Sequence, residues 1–420
     1  MNVLVALTLA VSLRDAVEQA GKLNPDVAIA RLRVVEAEAQ AASVRANQLP
    51  QLNATVGQTY QTTNLQGIGV IFPGVSSRVG PYKVFDARPR LTQTIFDAGL
   101  ISQIRAARIA IEQNRYAVEA ARETTQQAVL DLYLQALQAD SRIFASKARL
   151  ETARVVLKQA RDREASGAAS KLDVARSEQE FYNEEQVMVN SERDYRILKA
   201  ALARAIGMDT DKLEVERLDI KPLQQLPPAE AETKAAVTGR AELKSDEAGI
   251  RKAAQEMERA RREYLPKVGF SGDFGVLGQH PAQNLSTYSV GVSASIPIWT
   301  SGRISSDIAA ARARVDQARE QQRRTRLSVE DEARQSLLRW QAARETLLLA
   351  EKATAAARES VALARLRFEA GLSTNIDTVI AQGRLAEAED TEIRNRYEVL
   401  RARASYARAK GDVGNFFQGM

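Results

Sequence analysis

Hydrophobic and polar positions along this chain follow two rhythms. Around residues 288–299 they alternate, with Val290, Val292, Ala294, Ile296 and Ile298 on one side and Ser289, Gly291, Ser293 and Ser295 on the other. Period two predicts a strand with one apolar face. The other face carries small polar groups that cannot build a core. Such a strand fits a barrel wall between lipid and water, and it also fits a hairpin in a soluble domain. Tyr288 and Trp299 flank the apolar stretch, where interfacial aromatics belong. A weaker alternation runs through Leu52, Ala54 and Val56, then Leu91 and Ile95. Two β-hairpins are expected, at about 51–95 and about 267–298.

The second rhythm is helical. From Gly99 to Ala165, and from Gly302 to Ala370, there is no proline and no internal glycine. Ile104, Ile111, Val118, Val129, Leu132, Leu137, Ile143, Leu150 and Leu157 recur mostly at helical or heptad spacings, with alanine between them. Each run could reach about 100 Å as a helix. Their charge density excludes bilayer-spanning helices. Broad alanine-lined faces favour a palisade of helices over a two-stranded coil with its narrow seam. Asp97 and Ser301 are expected to cap the helix starts.

Both runs stop with the same grammar, Gly-x-x-Ser/Thr-x-x-Asp, at Gly167, Ser170, Asp173 and at Gly371, Thr374, Asp377. Glycine suits the left-handed residue that ends a helix. Ser170 or Thr374 can cap the next helix, and the aspartate three residues later can return to the cap amide. These are helical hairpin turns, with tips at 166–173 and 370–377. The returning helices should run from Lys171 to Ile206 and from Asn375 to about Lys410. Each is shorter than its partner, so the first helix of a repeat can supply the missing length by stacking on it.

The duplication extends over the chain. Ala46-Asn47-Gln48-Leu49-Pro50 echoes Arg262-Glu263-Tyr264-Leu265-Pro266, and Ile95–Gly99 echoes Ile298–Gly302. The first repeat is read as 12–222, the second as 231–410, with a Pro-bearing linker at 223–230 and a short tail at 411–420. Within the first helical region, Asn24 is a good N-cap and Pro25 a good first helical residue. Residues 1–11 look like the remnant of a signal peptide, without its basic segment; the first element of a cytosolic domain is the other reading.

Composition narrows the chemistry. There is no cysteine and only one histidine, His280. That removes thiolate sites and leaves little for histidine catalysis. No nucleophile–base pair, P-loop or metal-ligand cluster is visible, so no enzyme activity, metal or cofactor is expected. The formal charge is +6, with 59 basic and 53 acidic residues interspersed. The basic run Arg312–Arg326 reads as a solvated helix face, and no nucleic-acid partner is expected.

Taken in order, these motifs resemble the TolC-like outer membrane efflux proteins. The matching features are Asn24-Pro25, Leu49-Pro50, Leu265-Pro266, the helix starts Phe96–Gly99 and Trp299–Gly302, the two Gly-x-x-Ser/Thr-x-x-Asp breaks, and Ala201–Gly207. The resemblance implies a mostly α fold with membrane β structure. In it, a homotrimer forms a twelve-stranded β-barrel, four strands per chain, continuous with a long α-helical barrel. It implies a passive channel in the outer membrane of a Gram-negative-type bacterium, reaching into the periplasm. Its partners would be outer membrane lipid, a periplasmic adaptor and an inner-membrane pump of RND, ABC or MFS type, in drug efflux or type I secretion. Gly167, Ser170, Asp173, Gly371, Thr374, Asp377 and Ile380 would lie at the adaptor-contacting tips or the aperture. The position three beyond Asp377, acidic in some relatives, is Ile380 here, so an acidic double ring is not expected. The rival reading is a soluble coiled-coil scaffold or adaptor, which leaves the duplicated alternating segments unexplained.

Overall fold

The computed structural model describes residues 9–71, 73–74, 76–167, 169–217, 238–370, 372 and 375–417. The first described elements are strand β1 (Leu9–Val11) and helices α1 (Leu13–Leu23) and α2 (Pro25–Ala46). Strands β2 (Gln51–Asn64) and β3 (Arg78–Phe96) follow, then helices α3 (Ala98–Ala165) and α4 (Lys171–Ile206) and strand β4 (Leu213–Val215). The second half repeats the pattern with α5 (Ala241–Arg261), β5 (Lys267–His280), β6 (Gln283–Ser295), α6 (Arg303–Glu369) and α7 (Asn375–Ala409). A short 3-10 helix, Val413–Phe417, comes last. The expected linker 223–230 lies outside the described residues.

The chain forms two compact units. One comprises Met1–Leu32, Tyr116–Lys244 and Arg323–Met420, the other Arg33–Arg115 and Ser245–Gln322.

The core of the first unit gathers Leu13 and Val17 of α1, Leu130, Tyr133, Leu134 and Leu137 of α3, and Leu202 and Ile206 of α4. Leu400 of α7 and Phe416 join it. Residues 9–11, in the segment whose sequence reads either as a signal-peptide remnant or as a first structural element, form a strand paired in parallel with β4, Val11 opposite Val215. The buried Tyr133 hydroxyl lies 2.9 Å from the carbonyl oxygens of Val11 and Glu216 and pins this small sheet. The tail residues Val413 and Phe416 are buried in the same core.

Hydrogen bonds link the residues that precede α2 and α5 to the last turns of α4 and α7. Asn24 accepts from Asp26 N at 2.8 Å, opening α2, and its Nδ2 donates to Ala205 O near the end of α4 at 3.1 Å. The second half repeats this. Arg240 Nη1 donates to Ala409 O at the end of α7 at 3.4 Å. A Cβ on Gly239 would come within 2.8 Å of Lys410 O, so the junction admits only glycine without a shift.

Charge is buried beside that second junction. Arg408 (α7) bonds Glu242 (α5) and, at 3.2 Å, Glu123 (α3). Arg240 reaches Glu242 at 3.0 Å and Glu332 (α6) at 2.8 Å. Both arginine side chains are about 5% exposed, at 5% for Arg408 and 6% for Arg240. Burial alone would raise the Glu242 carboxyl, but hydrogen bonds from Arg240 and Arg408 and the charge of Arg408 hold it at about 2. Glu123 is pushed up by burial, which outweighs the opposing pull of Arg408. Five side chains thus tie four helices, and the two buried arginines cannot lose their partners cheaply.

In the second unit Asp97 caps α3 as expected, its Oδ1 accepting from Leu100 N at 3.0 Å. Ser301 does not cap α6. It sits in a turn at φ 47, and Arg303 N bonds Thr300 O at 2.9 Å. Ser301 and Gly302 both take left-handed backbone, so the helix begins one residue later than a cap at Ser301 requires.

Candidate functional site

The four long strands form one antiparallel sheet in the order β2-β3-β5-β6. Register sorts their residues into two faces. Leu52, Leu91, Gly272 and Val290 make one row across the sheet, and the next row is Asn53, Arg90, Asp273 and Ser289. Successive rows point to opposite sides. The first face therefore carries Leu52, Ala54, Val56 and Tyr60 on β2 and Tyr288, Val290 and Val292 on β6, with Phe274 opposite Tyr288. These apolar side chains are bare: Val56 is 72% exposed and Tyr288 79%. The second face carries serine, threonine, asparagine and a charged cluster. Arg88 bonds Asp86 at 2.5 Å and Asp273 at 3.0 Å, with Arg90 3.7 Å from Asp273.

The alternating stretch ends sooner than its sequence predicts. β6 stops at Ser295, so Ile296 and Ile298 lie beyond the strand. Pro297 has no N–H to donate to a ladder. Trp299 follows, 87% exposed. Among the described residues, β2 and β6 are each hydrogen-bonded on one side only.

The first hairpin end, in the first unit, has the geometry its sequence predicts. Ser166 N and Gly167 N bond Asp162 O and Glu164 O, and Gly167 takes φ 76. Ser170 Oγ accepts from Asp173 N at 3.2 Å, while Asp173 Oδ2 accepts from Ser170 N at 3.1 Å and from Ser170 Oγ at 2.7 Å. These bonds to Ser170 hold the Asp173 carboxyl below its ordinary range.

At the second end, Gly371 and Thr374 lie outside the described residues. Leu372 N bonds Arg367 O at 2.8 Å. Asp377 is exposed in the first turn of α7, and Ile380 is 49% exposed one turn on. The two ends approach each other, with the Arg163 guanidinium 4.5 Å from the centre of the Phe368 ring. Further along, Arg149 of α3 bonds Glu184 of α4 at 3.2 Å and Asp390 of α7 at 3.1 Å, joining the two hairpins. Neither Phe368 nor Asp390 stands out in the sequence. Among the described residues no group of three acidic or histidine side chains could hold a metal ion.

A family model described as outer membrane efflux protein matches residues 16–208 and 234–412. The pyoverdine export outer membrane protein OpmQ of Pseudomonas putida is 23% identical over 402 residues, covering 95% of this chain and 85% of that protein. OpmQ of Pseudomonas aeruginosa is 23% identical over 401 residues, with 94% and 84% coverage. Among solved structures, the CmeC outer membrane channel of Campylobacter jejuni superposes with a TM-score of 0.83 at 18% identity, covering 95% of this chain and 85% of that one. The outer membrane protein VceC of Vibrio cholerae gives 0.81 at 17% identity, covering 95% and 96%. These structures share the fold.

Proposed function

Because the chain belongs to the outer membrane efflux protein family, it is an outer membrane channel component that reaches into the periplasm, and we propose how its elements divide that work. The four-stranded sheet is one third of a twelve-stranded barrel closed by three copies of the chain. The observation that carries this is the sheet itself, with one bare apolar face, one polar face and two unpaired edges. Open strand edges are not tolerated in lipid, and four strands are too few to close on themselves. Three antiparallel pairings leave β2 and β6 running in opposite directions. The β6 edge of one copy can therefore pair antiparallel with the β2 edge of the next, a head-to-tail contact that closes as a ring. A soluble scaffold leaves the bare face unexplained.

In this arrangement the polar face lines the exit and the long helices form the wall of a periplasmic tunnel. The hairpin ends, with Gly167, Ser170 and Asp173 in one and Gly371, Thr374, Asp377 and Ile380 in the other, form the distal end. There they meet a periplasmic adaptor tied to an inner-membrane pump of RND, ABC or MFS type. The channel conducts passively. Relatives named for pyoverdine export make that compound the first cargo to try.

The test uses the chain's lack of cysteine. Single cysteines placed along β2 residues 51–59 and β6 residues 287–293, combined in pairs, should crosslink into three-chain rings in the outer membrane. The purified protein should conduct in a planar bilayer. A ladder ending at two chains, or no crosslink in any register, would refute the ring.

A further inference from the structure

The far end of the sheet, away from the strand ends that join α2 and α3, has an unusual charge distribution. From Gln51 to Phe85 the only charged residues are Arg78 and Lys83, and from Phe274 to Gly302 there is no Asp, Glu, Lys or Arg. Asp86 and Asp273, the nearest carboxylates on the strands, face the polar side and are paired with Arg88. Both cations lie on the opposite, apolar side. Lys83 is the cross-strand partner of Tyr60, and its Nζ stands 5.6 Å from the centre of the Tyr60 ring. Thr63 belongs to the polar side, since its hydroxyl meets that of Tyr82 at 2.6 Å. Asn64 and its partner Arg78 therefore return to the face of Tyr60 and Lys83.

Their height matters. From Leu52, eight residues along a strand tilted by about 40° bring Tyr60 to a height of roughly 20 Å, and twelve bring Asn64 to roughly 30 Å. The apolar band of a membrane barrel is about 25 Å tall. Lys83 and Arg78 thus bracket the boundary where headgroups begin, with an aromatic ring under the lysine. Lysine and arginine stems lie along apolar surface while their charged ends reach the polar layer. A neighbouring copy would bring no carboxylate, because Gln283–Ser295 of β6 carries no charge.

We propose that Tyr60, Lys83 and Arg78 form an outward-facing site for the phosphate groups of lipid headgroups in the outer leaflet. The proposal rests on the sheet lying in the membrane. The tyrosine holds the lysine at the boundary, and the two cations take phosphates at two heights. No carboxylate on this face competes for them.

The experiment titrates the detergent-solubilised full chain with diphosphoryl lipid A, with its dephosphorylated form, and with inorganic phosphate, following the thermal midpoint. Diphosphoryl lipid A should raise the midpoint saturably and the other two should not. Arg78→Gln/Lys83→Gln should weaken half-saturation about thirtyfold, and Arg78→Lys/Lys83→Arg should restore most of it. Equal titration by the glutamine variant, or by dephosphorylated lipid, overturns the site. An equal response to inorganic phosphate makes it a free-anion site and overturns the lipid assignment. Bromolipid quenching of Trp299 in vesicles of the same variants separates the two readings, Trp340 being buried. Quenching without phosphate dependence sinks the lipid site alone, whereas absence of quenching sinks the membrane sheet with it.

Discussion

Replacing Arg408 with methionine keeps the stem and removes the charge that two half-buried carboxylates share. Removing one partner of a buried pair costs about 3–5 kcal/mol, because the other charge is left uncompensated. Glu242 and Glu123 keep 28% and 18% of their side-chain exposure, so solvent recovers part of that. The lower end, about 3 kcal/mol, is the expected loss at neutral pH. The pH dependence follows from the two carboxyls. Glu242 is held at about 2 against an ordinary 4.5. Its stabilisation is complete above about 4.5 and is lost as pH falls through about 2. Glu123 is raised, so its burial cost is present at neutral pH and relieved on protonation. Without Arg408 both carboxylates are worse off when charged, and both effects make the gap between parent and variant narrow on acidification. Arg240 and Glu332 remain in place and are common to both proteins. Denaturant unfolding in detergent, followed by helical circular dichroism at about pH 7 and about pH 3, measures the gap. A variant within about 0.5 kcal/mol of the parent at neutral pH, or a gap unchanged at acid pH, would refute this account of the junction.

Three further outcomes are expected. Ser170→Ala should cost about 1 kcal/mol at the start of α4, seen as faster hydrogen exchange at Asp173 and Val174 and a rise in the Asp173 pKa toward its ordinary value. Val292→Lys, on the bare apolar face, should lose about 2–4 kcal/mol of membrane stability and drop out of the outer membrane fraction, whereas Ser289→Lys on the polar face should insert. Gly275→Ala should block pairing of β3 with β5, because a Cβ would stand 2.3 Å from Arg88 Cβ and 2.4 Å from Ala87 O; Gly291→Ala, with nothing within 4 Å, should leave folding yield unchanged.

Much of the architecture is legible locally. Unbroken helical runs, a glycine stop followed by a capping box, and period-two alternation each depend on neighbours a few residues away. That is why Gly167, Ser170 and Asp173 could be placed from sequence. What escapes is whatever joins distant segments. Nothing near Leu9–Val11 announces a parallel partner at Leu213–Val215. The tail at Val413–Phe417 reads as a short extension, yet Phe416 is buried in the core. Arg408 looks like one more basic residue on an Arg-rich helix until Glu123 and Glu242 close on it. Ser301 fails as a cap because a left-handed turn at that position competes with the helix start, and sequence propensity alone does not rank the two.

The pairing of β3 with β5 has a consequence for how the chain is made. It joins segments some 185 residues apart, as the contact between Arg88 and Asp273 records. Closing so long a loop carries an entropic cost, and contacts of such separation form slowly. Exported from its amino end, the first hairpin crosses the inner membrane before β5, the strand that β3 must pair with. Its bare apolar side chains then have to be kept apart from other chains until the second hairpin arrives. The duplicated design thus sets a delivery order, and a holding chaperone with affinity for β2 and β3 is the sort of helper that such an order selects for.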